Sequence, residues 1–148
     1  MMKVNENDLF YICSLIESVS RKSGNSKADI VDTLGEKKLR RLYRFANINH
    51  CLPIEQVTQE VIEDNQIVCQ EKISQSRKQS VWDSGHIYQR LIVDTMNGND
   101  WLSKMKEIYH SWICKYLDND KKPIYWQPRS YIRAVSYTHL RAHETLSD

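Results

Sequence analysis

Glycine and proline are scarce in this 148-residue chain, with four of one and three of the other, so turn-dense all-β architectures have little to build on. No apolar run approaches the 18 or more residues that a membrane-spanning helix needs, and the N-terminal MMKVNENDLFYICSLIE lacks a basic leader and a small-residue cleavage site. A cytoplasmic location is therefore expected. The four cysteines, Cys13, Cys51, Cys69 and Cys114, are scattered without a C-x-x-C pair, which excludes a zinc knuckle or a disulfide framework as the organising device. They read as reduced thiols, with Cys13 and Cys114 facing the core. Phosphate-cradling glycine loops, paired catalytic carboxylates and activated serine motifs are also missing. Neither an enzyme nor a cofactor-binding protein is expected.

Residues 135–145, VSYTHLRAHET, look like the translation of an adapter that transposase-based methods attach to DNA fragments for sequencing. They are read as a non-native tail, running on to residue 148, with the gene cut near Arg133 or Ala134 and its natural end missing. His139, His143 and Glu144 resemble a helical metal-binding pair with an acid beside it. An adapter encodes no chemistry, so that resemblance is set aside. Excluding the tail leaves 20 basic against 17 acidic side chains, a balance too mild to demand a polyanionic partner. The remaining length suits one domain able to bury about two thirds of its unfolded surface.

What the chain does contain is apolar residues recurring at three and four, which predicts an all-α protein, a compact bundle of about six helices with its C-terminal element truncated. The first helix is expected over Asp8 to Ser20, capped by Asn7, with Leu9, Ile12, Cys13, Ile16 and Val19 inward; Phe10, Tyr11 and Leu15 widen that face and make it the most buried helix. A second begins at Ser26, carries Ile30, Val31 and Leu34, and stops at a left-handed Gly35. A third runs from Glu36 to Asn47 with Leu39, Leu42, Tyr43 and Ala46 inward. A turn at Asn47 to Leu52 leads to Pro53 at a first helical position, and a fourth helix places Ile54, Val57, Val61 and Ile62 on one side. The polar QEKISQSRKQS then reads as a linker, so the expected organisation is an N-terminal unit over 1–69, a linker over 70–81 and a C-terminal unit over 82–134. In that unit Asp83 or Ser84 caps a helix bearing Ile87, Tyr88, Leu91 and Ile92, and NGND closes it. One long helix then carries Leu102, Met105, Tyr109, Trp112, Ile113, Tyr116 and Leu117, and Pro128 opens a last one.

Two candidate surfaces emerge. In EKKLRRLYRF the cations Lys37, Lys38, Arg40, Arg41 and Arg44 crowd the solvent side of one short helix behind a glycine turn, the outline of a DNA-binding helix-turn-helix. Side chains suited to reading base edges are absent there until Asn47 and Asn49, and a merely solvated face is the plainer reading. The aromatic residues concentrate in the second half, and Tyr109, Trp112 and Trp126 are the candidate protein-contact residues, because Tyr and Trp offer large apolar area with a polar handle. His50 beside Cys51 offers one ion no second cluster of ligands, and His86 and His110 stand alone on their helices.

The segments LFYICSLIESVSRKSGNSKADIV, YRFANINHCLPIEQVTQEVIE, IYQRLIVD, SWI and PRSYI resemble a group of short uncharacterised bacterial proteins whose genes lie near ADP-ribosyltransferase-like toxin genes. The likeness spans most of Leu9 to Ile132 and rests on apolar spacing and aromatics, not on a catalytic motif. It implies an antitoxin-like accessory role with a toxin-like protein partner, and it brings no functional residues with it. The functional expectation is a non-enzymatic protein-interaction protein, the alternative being a DNA-binding regulator that uses the basic helix.

Overall fold

The computed structural model describes residues 3–70, 79–118 and 128–136, and among these the regular structure is entirely helical. The protein is all-α. In chain order the helices are α1 (Glu6–Ser23), α2 (Lys27–Arg44), α3 (Ala46–Asn49), α4 (Ile54–Asp64), α5 (Val81–Met96), α6 (Trp101–His110) and α7 (Ile113–Leu117), followed by α8 over 129–136. Cα packing divides the chain into Met1–Gln89 and Arg90–Asp148, a division that falls inside α5. Residues 71–78 of the expected linker lie outside the described residues.

In the first unit α1 is the central element. Its cap is Asn5, two residues earlier than expected, whose side chain accepts a hydrogen bond from the Asp8 amide, and it runs on past Ser20 to Ser23. Leu9, Tyr11, Ile12, Leu15, Ile16 and Val19 are all buried, because α1 packs against α2, α3 and α4 on different sides. Ser26 caps α2 through the Asp29 amide at 3.1 Å, as its position predicts.

Gly35 has the positive φ expected of it, 75°, but its ψ of 169° is extended and not left-handed helical, a conformation essentially confined to glycine. α2 is thus two helical arms joined across a kink at this non-helical residue, where two short helices were expected. The turn expected after it contains the short α3, and Pro53 stands just before α4 instead of inside it. α5 opens one turn earlier than expected. Ser80 Oγ accepts from the Asp83 amide at 3.0 Å and Asp83 Oδ2 accepts from the Ser80 amide at 3.4 Å, a reciprocal cap.

In the second unit the expected long helix is broken. Ser111 adopts φ −84° and ψ 160°, and its hydroxyl donates to the Ile108 carbonyl at 2.7 Å, so a local side-chain bond replaces helical continuation and α7 restarts at Ile113. Leu102, Met105, Ile108, Tyr109, Ile113 and Leu117 nonetheless share a buried face. α8 starts after Pro128, whose carbonyl accepts from Ile132, and it is held to the C-terminal part of α5 by a two-pronged pair between Arg129 and Asp94 at 2.6 and 2.7 Å. Among the described residues no helix is long and apolar enough to cross a membrane.

Candidate functional site

α1 packs on both α2 and α4, and between those two runs an open groove of about 500 Å³. Lys38, Arg41 and Leu42 of α2 and Phe45 at its C-cap recur at three, one and three and so line it from one face along two turns, and Leu34 joins them from before the Gly35 kink. On α4 the lining is Val57, Glu60, Val61, Asp64 and Asn65, one face along two turns, and Ile48 and Asn49 of α3 complete it at one end. Leu34, Val57 and Val61 are buried, whereas Phe45 is 40% and Ile48 61% exposed. Single exposed apolar side chains are ordinary on a protein surface; two of them lining one groove with an apolar floor form a patch suited to contact.

The charges along the groove are segregated. Lys38 and Arg41 stand on α2, and Glu60 and Asp64 on α4. Lys38 Nζ donates to Asn65 Oδ1 at 2.5 Å, and Gln56 Nε2 to Glu60 Oε1 at 3.3 Å. Arg41 and Asp64 form no ion pair among the described residues.

This arrangement separates the five basic candidates. Lys38 and Arg41 line the groove, Lys37 and Arg44 are exposed outside its lining, and Arg40 is turned onto Glu36 of its own helix at 3.0 Å. A phosphate approaching Lys38 and Arg41 within the groove would also meet Glu60 and Asp64. The aromatic candidates separate as well. Tyr109 is only 3% exposed, in the core of the second unit. Trp112 sits half-buried at the break between α6 and α7, edge-on to the exposed Tyr116 with ring centroids 4.8 Å apart. Trp126 lies outside the described residues, as do His139, His143 and Glu144.

Phe45, Ile48, Glu60 and Asp64 were not singled out from the sequence. The available signal was Phe45 and Ile48 at a spacing of three in a stretch of helical composition, next to acids spaced by four beside Val57 and Val61.

His86 and His50 make ring contacts. His86 stacks on Phe10, with ring centroids 4.1 Å apart and planes at 28°, and His50 lies 5.4 Å from the Tyr11 ring and 5.6 Å from that of Trp82. Tyr11 itself is buried and its hydroxyl has no hydrogen-bond partner among the described residues. Burial, and after it the negative charge of Glu60, pushes this phenol up to about 12. It therefore stays protonated near neutral pH and is no general base. No group of His, Cys, Asp and Glu among the described residues could hold a metal ion, and Cys13 and Cys114 are buried as expected. In comparisons with known proteins, the chain matches no family model, no curated protein and no solved structure.

Proposed function

We propose that this is a non-enzymatic protein-interaction protein that receives its partner in the groove between α2 and α4. One observation carries the reading: Phe45 and Ile48 stand exposed at 40% and 61% in an open groove of mixed lining, its floor apolar and its rims charged, between two helices that both pack on α1. The mixture of charges supports a protein over a nucleic acid, because Glu60 and Asp64 would repel a phosphate backbone that Lys38 and Arg41 attract. The resemblance to proteins encoded beside ADP-ribosyltransferase-like toxin genes makes such a toxin the first partner to test, in an antitoxin-like role.

The experiment is co-expression of the full chain with that toxin-like protein, followed by co-purification with and without Ile48→Asp. The expected result is a retained complex that Ile48→Asp dissolves while the helical circular dichroism is unchanged. A complex indifferent to Ile48→Asp, or none at all, would sink the groove reading. Retention of duplex DNA that falls steeply with salt and is abolished by Arg41→Glu with Arg44→Glu would replace it by the regulator reading.

A further inference from the structure

We infer that the groove takes one amphipathic helix of the partner, held in a single direction by the opposite charges of its two rims. This rests on the groove being the contact surface, and it adds the shape, chemistry and polarity of what binds.

The first step concerns the occupant's backbone. An extended segment laid on the floor formed by Leu34, Val57 and Val61 would press N–H and C=O groups against apolar carbon, and the described residues include no strand edge with which it could pair. A helix satisfies those groups internally and presents only side chains. The second step is length. Beyond the kink at Gly35 the wall from Lys38 to Phe45 covers seven helical rises, roughly 10 Å, which seats at least about two turns of a guest helix. Apolar anchors on such a guest recur at i, i+3 or i+4, and i+7.

The third step is polarity. A guest lying along the groove turns one flank towards Lys38 and Arg41 and the other towards Glu60 and Asp64. The complementary guest is acidic on the first flank and basic on the second. Turning that helix end for end exchanges its flanks and sets like charge against like on both rims, so one direction is favoured. A guest with both flanks of one sign satisfies one rim and is repelled by the other in either direction.

The test uses the full chain and four synthetic stapled helices of three turns, each with Leu at the anchor positions. One carries Glu on one flank and Lys on the other, the second is its mirror arrangement, the third has Glu on both flanks and the fourth Lys on both. Titration by fluorescence anisotropy is expected to give both mixed helices an affinity at least about tenfold tighter than either single-sign helix, the scale of a few exposed ion pairs. In the variant Glu60→Lys with Asp64→Lys the preference is expected to move to the all-Glu helix. A nitroxide on the exposed Cys51, three residues beyond Ile48, with Cys69→Ser removing the other exposed thiol, reads direction. The two mixed helices are expected to show NMR broadening at opposite ends.

Equal affinity for all four helices, broadening at both ends of each, or no binding at all overturns the inference. So does dimerisation of the chain that Ile48→Asp reverses, since the occupant would then be a second copy. If the helices fail but the co-expressed partner is still released by Ile48→Asp, the groove stands and only the helical guest falls. If that partner is not retained either, both fall.

Discussion

Two seams flank α1, and they are packed to opposite extremes. Against α5 the backbones come so close that a Cβ on Gly85 would lie 2.0 Å from Ser14 Oγ and 2.9 Å from Ser14 Cα, whereas α2 and α4 leave about 500 Å³ open between them. The charges follow the same division. Near the closed seam Glu17 and Lys27, at 1% and 3% exposure, pair at 2.5 Å, with the Lys27 ammonium 4.2 Å from the centre of the Tyr88 ring and Arg21 on Glu17 at 3.0 Å. Along the open seam Arg41, Glu60 and Asp64 are exposed, and Lys38, exposed as well, reaches across to Asn65. One helix thus supports a junction packed without room for a methyl group and another left unfilled, so the groove does not follow from a general inability of this chain to pack.

The buried pair is where the closed side breaks most easily. Glu17→Gln leaves the Lys27 ammonium buried without its counterpart and is expected to cost about 3–5 kcal/mol in urea unfolding, whereas Lys27→Met, which leaves Glu17 paired with Arg21, is expected to cost less. Replacing both residues with Met removes the desolvation cost along with the attraction, and most of the loss should return. A Glu17→Gln variant within about 1 kcal/mol of wild type would show that water reaches the pair and that the closed side is less sealed than its geometry indicates.

Gly85→Ala addresses the steric limit directly. Alanine favours the helix by about 1 kcal/mol. Its methyl group, however, meets the Ser14 backbone at 2.9 Å, and relief requires α1 and α5 to separate. Overpacking of this kind costs about 1–3 kcal/mol, so a net loss is expected. The companion variant Ser14→Gly with Gly85→Ala removes the nearest atom and should recover only part of that loss. A stabilised Gly85→Ala would mean that the two helices slide apart freely, and the contrast between seams would fail.

Tyr11 gives a smaller, pH-dependent effect on the same helix. The unfolded phenol ionises near 10.0 and the folded one at about 12, so between these values the folded chain holds a proton that the unfolded chain has released. Stability is therefore complete below pH 10 and is lost as pH rises through that window. Tyr11→Phe should flatten this alkaline decline. Near neutral pH it should change stability by less than about 1 kcal/mol, because the buried hydroxyl has no partner among the described residues to lose. An unaltered alkaline limb in chemical denaturation would place the decline on another group.

The helices were legible because the period of apolar residues survives in α1, α4 and α6 whatever they pack against. The break at Ser111 was not, since Ser111 interrupts no apolar position and its competing bond to Ile108 is a local geometric choice. Gly35 was legible as a break with positive φ, but its extended ψ was not, because ψ depends on where both arms are held. The buried Glu17 and Lys27 were invisible for a different reason: charged residues default to the surface, and nothing local marks the exception. The basic run of α2 stood out in the sequence, yet which of its cations border a groove is decided by α4, some twenty residues further on. Similarly, Tyr109 has the composition of a contact residue and the position of a core one.

The smallest expected effect on stability is the one most informative about the open seam. Ile48 is 61% exposed and α3 ends at Asn49, so Ile48→Asp removes little buried area and introduces a charge where water can solvate it. A change within about 0.5 kcal/mol is expected in urea unfolding. If α2 and α4 instead closed over Ile48 in solution, the groove would be a buried cavity, and an aspartate there would cost several kcal/mol through desolvation. A near-zero value establishes that the seam stands open before any partner arrives, and loss of binding by this variant can then be assigned to the contact itself.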